Sequence, residues 1–176
     1  MIRTAEATIQ GTSALLMHQF PLEPIKALEK LTKEEQAEYT AYRCPDNGKL
    51  YIPGIAIQRG LIAGAGFEKG KGRATLAKPV AACTLVTPER VSLGITEFKI
   101  DSRPVVMPAT RGRVIRHRAR VDEWEVSFAI EFDPELITAI QMRACLDNLG
   151  SRVGLLDFRP ERKGPFGRFI VTSWKV

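Results

Sequence analysis

The sequence predicts an α+β fold, one antiparallel sheet with helices packed on one face. Three observations carry this. Trp124, Val126, Phe128, Ile130 and Phe132 alternate with Glu123, Glu125, Ser127 and Glu131, the period of a half-buried strand. Two segments, at Pro53 and at Asp133-Pro134, place helix-starting residues ahead of apolar positions at helical spacing. Extended, β-prone runs flank both helices.

Taken in order, Ile2 to Met17 opens with alternation and predicts the first strand, broken at Phe20-Pro-Leu-Glu-Pro24. Thr32 and Glu35 form a capping-box pattern that starts a short polar helix toward Tyr42. Cys44 to Gly48 is a turn and Leu50 to Ile52 a short extended piece. Pro53 suits a first helical turn, and Ile55, Ala56, Ile57, Leu61 and Ile62 supply a helix to about Ala65. Gly66 to Arg73 is a basic glycine-containing loop. Val80 to Val86 is an apolar run expected to be a strand, and Val91 to Met107 continues extended. After the strand Val121–Phe132, Asp133 is the expected N-cap of a helix that turns Ile137, Ile140 and Ala144 to one face and stops at Gly150. Arg168 to Trp174 is the closing strand.

Without insertions at about residues 20–50 and 88–120, the order is strand, helix, strand, strand, helix, strand. That βαββαβ order is ferredoxin-like, the split βαβ arrangement shared by RRM-like domains, and residues 1–176 are expected to be a single domain. RNA-binding domains of this architecture use the free sheet face or the loops above it.

The 176 residues are 44% hydrophobic, enough for one core. No apolar run nears the roughly 20 residues that span a bilayer, and the N-terminus reads as a strand rather than a signal peptide. Cys44, Cys83 and Cys145 are odd in number and lack paired metal spacing, which predicts reduced thiols, a cytoplasmic location and no metal or other cofactor. The net charge of +6 arises after residue 50, because residues 1–50 hold six Lys/Arg against seven Asp/Glu. Basic charge gathered in glycine-bearing stretches predicts a polyanionic partner.

Three places are candidate nucleic-acid contacts. Arg111, Arg113, Arg116, His117, Arg118 and Arg120 form a run without acids, and on a strand Arg116, Arg118 and Arg120 share a face that tracks successive phosphates. The alternative is cross-strand pairing with Asp122, Glu123 and Glu125. The loop Gly154–Arg168 offers Arg159, Arg162, Lys163 and Arg168, backbone donors at Gly164 and Gly167, and Phe166 or Phe158 for base stacking. The alternative is that its rings plug the core. Gly54, Gln58 and Arg59 begin the first core helix, where a helix N-terminus attracts anions, and Lys69, Lys71 and Arg73 follow it. All three places are expected to converge on one groove.

Two segments together resemble a known superfamily. Leu50-Tyr-Ile-Pro-Gly-Ile-Ala-Ile-Gln-Arg-Gly-Leu61 is similar to its Ile-Pro-Gly segment, with Ile55 where a small hydroxyl residue is usual. Trp124–Phe128, Leu149-Gly150, Val153-Gly154 and Gly164-Pro-Phe-Gly-Arg-Phe169 resemble its last strand pair, second helix and glycine-rich loop. This is the RAMP superfamily, the RNA-binding backbone subunits of CRISPR effector complexes, and the chain resembles a compact or diverged member. The resemblance implies that residues from about Pro88 to Arg120 form an inserted, thumb-like β-hairpin. It also implies head-to-tail homo-oligomers and other effector-complex subunits as partners.

The expected function is nonenzymatic binding of RNA or single-stranded DNA, RNA first, with no membrane partner and with little sequence readout. One alternative is a metal-independent endoribonuclease using a histidine, His117 or His18, as general acid or base. Another is a protein-binding adaptor or decoy of a CRISPR complex.

Overall fold

The computed structural model describes residues 1–20, 30–106 and 109–176. The break expected at Phe20–Pro24, beyond Phe20 itself, and the end of the extended run at Met107 lie outside the described residues. Four strands make the main sheet: β1 (Arg3–Gly11), β4 (Thr84–Thr87), β8 (Glu125–Phe132) and β9 (Phe169–Lys175). Their order is β4-β8-β1-β9, every neighbour antiparallel. Helices α2 (Gly54–Ala65) and α4 (Ala139–Asn148) complete the βαββαβ core, so the ferredoxin-like expectation holds.

The alternation in β8 explains the layering. Val126, Phe128, Ile130 and Phe132 are buried toward the helices with Ala5, Ala7 and Ile9 of β1. Their neighbours point the other way, where Thr8 and Ser127 hydroxyls meet at 2.8 Å. That open face carries Glu6, Glu125 and Glu131 and no aromatic ring from β1 or β8. Carboxylates repel phosphates and offer bases nothing to stack on, so the open sheet face does not fit the nucleic-acid contact expected of it.

The second insertion is a hairpin, β6 (Lys99–Val106) and β7 (Arg113–Val121). The short β2 (Leu15–Leu16) pairs with β7 beside it, so the long first strand expected from Ile2 to Met17 is two strands in two sheets. Helix α1 (Lys33–Thr40) carries the expected capping box at Thr32 and Glu35, and Thr40 Oγ1 accepts from Ala119 N–H of β7 at 2.9 Å. Strands β3 (Tyr51–Pro53) and β5 (Arg90–Ser92) form a two-stranded ribbon ahead of α2.

Four local readings are corrected. The run Val80–Val86 is mostly helix, α3 (Ala77–Cys83), and extends only from Thr84. Pro79 lies in its first turn, where no backbone N–H has an intrahelical acceptor to lose, and a short apolar run has no period that separates strand from helix. Pro53 is the N-cap of α2 rather than its first residue. Asp133 makes a turn instead of capping α4: its Oδ1 accepts from Glu135 N–H at 3.0 Å. Thr138 and Gln141 form the capping box that starts the helix. The start shifts by one turn, so the buried face is Met142, Cys145 and Leu146, and Ile140 is 84% exposed. Nor does Gly150 stop it. The chain continues through a π turn (Leu149–Val153) to Gly154, whose φ of 77° suits glycine and ends the helix.

Candidate nucleic-acid interface

A cleft of about 670 Å³ opens between the N-terminal half of α2 and the segment after Gly154. Ile55, Ala56 and Arg59 line one wall and Asp157, Arg159 and Arg162 the other. His18, Tyr42 and Tyr51 close it, the two tyrosine rings 5.7 Å apart and tilted. The wall of α2 is held by β4, because Gln58 Oε1 accepts from Val86 N–H at 3.3 Å.

The cations of the cleft are not equivalent. Arg159 is occupied, donating to Glu161 at 2.6 and 3.0 Å and to the Leu156 carbonyl at 2.8 Å. Arg59 and Arg162 are exposed, and neither has an ion-pair partner among the described residues. They supply positive charge from opposite walls, where a guanidinium can bind a phosphate bidentately. Burial pushes the Tyr42 phenol above its ordinary value, and the neighbouring Tyr51 and Asp157 add to this, so Tyr42 remains a neutral O–H donor.

Asp157 joins the cleft to the hairpin. Its carboxylate receives Arg118 of β7 and lies 3.5 Å from His18 Nδ1. Burial raises the Asp157 carboxyl, but the hydrogen bond from His18 and the charges of Arg118 and His18 outweigh it, so the group sits below its ordinary value. The expected shared face of Arg116, Arg118 and Arg120 exists: opposite them on β6 stand Arg103, Asp101 and Lys99. That face packs on the loop after Gly154, and Arg118 is only 4% exposed, a strut rather than an open phosphate ligand. Arg120 donates to Asp122 at 2.6 Å, one of the acids weighed as alternative partners but two residues along the chain, and across the strands it lies 3.7 Å from Asp101, an acid not weighed. His117 bonds Ser102 at 2.7 Å. Arg111 and Arg113, at the turn of the hairpin, are exposed and without an ion pair among the described residues.

The glycine loop is also reassigned. Phe166, expected to stack on bases, is 5% exposed beneath Arg103 and Arg120, whose guanidinium carbons lie 4.8 and 5.7 Å from its ring centroid. Arg103 is held there by Asp101 through two bonds of 2.6 Å. The backbone donors expected to cradle an anion are used within the chain. Gly54 N–H goes to Glu89 O at 2.7 Å, Gly164 N–H to Arg159 O at 3.0 Å and Gly167 N–H to Ala14 O at 2.8 Å. Gly167, at φ 71°, lies against the Leu155 backbone where a Cβ has no room, so its glycine serves chain packing. Arg168 N–H donates to Ser13 Oγ at 3.0 Å and its guanidinium to the Ser151 carbonyl. Lys163 is exposed beside Arg162, in a left-handed conformation.

The glycine loop, the start of α2 and the hairpin are therefore contiguous. Lys69 and Lys71 are not part of this: they line a separate groove beyond α2, and Arg73 lies exposed in the same loop. The convergence of all three basic stretches is corrected to this extent. Sequence reasoning missed Tyr42, Tyr51 and Arg103 here, and named His18 only as an alternative to His117. Tyr51 had a signal in the Ile-Pro-Gly segment, whereas Tyr42, Arg103 and His18 are placed by long-range packing.

No family model matches the chain, and no curated protein matches it. Among solved structures, the chain is similar to a chain of the cryo-EM structure of the Type III-B Cmr-beta bound to cognate target RNA, with a TM-score of 0.57 at 10% identity. The match covers 99% of this chain and 60% of that one, so this chain spans about three-fifths of the length of the structure it matches. At that identity the likeness shows the fold.

Proposed function

We propose that this protein binds single-stranded nucleic acid, RNA first, without catalysis, in the cleft between α2 and the glycine loop. One observation carries the reading: Arg59 and Arg162, exposed and unpaired among the described residues, line opposite walls of a cleft closed by Tyr42 and Tyr51. Guanidinium groups take a phosphate and tyrosine faces take a base, the pairing that sequence-tolerant single-strand binders use. The fold shared with a chain of a Cmr-beta structure bound to target RNA supports RNA as the ligand, as does the sequence resemblance to RAMP backbone subunits. Arg111 and Arg113 extend the positive surface along the hairpin. Protomers then repeat along the strand, the basic hairpin turn of one meeting the acidic sheet face of the next in a head-to-tail contact.

Fluorescence anisotropy with a labelled single-stranded RNA, over a salt series, tests the cleft. Affinity should fall as salt rises, and Arg59→Glu with Arg162→Glu should flatten the log–log slope by about 1.4, about 0.7 per lost phosphate contact. An unchanged slope in that variant, or affinity indifferent to salt, refutes the site. Stable complexes with a protein partner but no oligonucleotide affinity at low salt would favour the adaptor reading instead.

A second reading, the metal-independent endoribonuclease, is favoured by one feature. His18, not His117, lies in the cleft beside Asp157 and near the protonated Tyr42, an arrangement suited to moving a proton to or from a ribose hydroxyl. Arg118 competes for the same Asp157 oxygen, which leaves His18 loosely oriented. Incubating RNA in chelator with wild type and His18→Ala separates the two readings: cleavage that disappears in the variant establishes the enzyme, and intact RNA in both rules it out.

A further inference from the structure

A second groove, of about 700 Å³, lies beyond the C-terminal end of α2 and shares no lining residue with the cleft. Its floor is apolar: Leu76 and Ile137 are 4% and 1% exposed, with Pro79 and Pro134 beside them. Leu136, half-exposed, forms a wall. Lys69, Lys71 and Lys78 line it too, all exposed and none in an ion pair among the described residues, against a single acid, Glu135. Thr138 and Gln141, which cap α4, also line the groove, so the positive end of that helix adds to the lysines.

The groove is preformed. Lys69 and Thr75 bridge across the loop, and Gly70 N–H donates to Ala74 O at 2.9 Å. Leu76 N–H donates to Glu68 O at 3.1 Å, while Glu68 Oε1 accepts from Asn148 of α4 at 2.6 Å. These bonds tie the lysine loop to α4.

We infer that this groove binds an acidic peptide segment of a protein partner, seating one bulky apolar side chain on the Leu76–Ile137 floor while flanking carboxylates meet Lys69, Lys71 and Lys78. The chemistry selects that occupant. An apolar floor gains by burying apolar atoms, which a phosphodiester lacks, and among the described residues no aromatic ring or arginine lines the groove to stack a base. Its volume, about 700 Å³, holds several residues of an extended peptide. Lysine ammonium groups bind carboxylates as mobile point charges and suit an extended acidic chain. The lysines that sequence analysis assigned to nucleic acid thereby gain a different ligand, at a site independent of the cleft.

The probe is a fluorescein-labelled peptide of alternating glutamate and leucine with a central phenylalanine, compared with an all-glutamate peptide of equal length. With ¹⁵N-labelled protein, the mixed peptide should shift amides of Lys69–Lys78 and Leu136–Gln141 and leave the cleft unshifted. Its affinity should drop about tenfold in Leu136→Ser and in Lys69→Glu with Lys71→Glu, and the all-glutamate peptide should bind about tenfold more weakly. RNA affinity of Leu136→Ser should equal wild type. Equal binding of the two peptides, shifts elsewhere, or displacement of the peptide by a single-stranded oligonucleotide overturns the inference, the last by assigning the lysines to the nucleic-acid path. Loss of RNA binding in the Arg59 and Arg162 variant does not bear on it.

Discussion

Replacing Asp157 with asparagine leaves the buried Arg118 guanidinium without its counter-charge. The Arg118 side chain is 5% exposed; among the described residues its Nε has no partner and Asp157 is its one ion-pair partner, since Asp101 opposite it is held by Arg103. Removing one member of a buried pair costs about 3–5 kcal/mol. Asp157 is itself 31% exposed, which screens part of the interaction, and asparagine keeps an acceptor oxygen, so the expected loss is about 2–3 kcal/mol. For a domain of this size that lowers Tm by about 5–10 °C. Urea unfolding followed by tryptophan fluorescence measures it. Because the folded-state Asp157 carboxyl lies below its ordinary value of 3.8, the stabilisation is complete above that pH. It disappears as pH falls from there through the folded value, and the gap between wild type and variant should close over that range. Arg118→Met combined with Asp157→Leu should recover most of the loss, since an apolar pair replaces both charges. A loss below about 0.5 kcal/mol, the level of an ordinary surface change, would refute the strut and return Arg118 to the phosphate ridge.

Other perturbations have equally definite outcomes. Cys145 is fully buried and its thiol is pushed up to about 12 by burial and by Glu68, whereas Cys44 and Cys83 are half-buried, so a thiol reagent near neutral pH should modify Cys44 and Cys83 in the native protein and Cys145 only on unfolding. Gly167→Ala, forcing a Cβ onto the Leu155 backbone at φ 71°, should destabilise by about 1–3 kcal/mol in thermal melts, and RNA affinity measured well below the new Tm should hold. Glu125→Lys with Glu131→Lys should abolish RNA-dependent higher oligomers in light scattering while leaving the monomer stable; oligomers that persist place the protomer contact elsewhere.

Much of the fold was legible because it is written in short-range chemistry. The β8 alternation, the Thr32 capping box and the glycine loop before the last strand stand where local pattern put them, and the inserted hairpin stands where the resemblance put it. Where local patterns tie, the reading slipped. Val80–Val86 has no period to separate helix from strand, and Asp133-Pro134 and Thr138–Gln141 both carry helix-start chemistry only five residues apart. The reciprocal bonds at Thr138 won.

Charge was a weaker guide than pattern. Counting arginines finds that the chain is basic, and alternation finds that Arg116, Arg118 and Arg120 share a face. Neither tells which cation is bound to the chain itself. Arg118 meets Asp157 across 39 residues, Arg103 covers Phe166, and His18 enters the cleft from the end of the first sheet crossing. Local periodicity is set by backbone geometry within a few residues, and so it survives in the linear chain. Which guanidinium is satisfied and which faces solvent depends on how distant segments return to one another, a property that exists only once the core has closed.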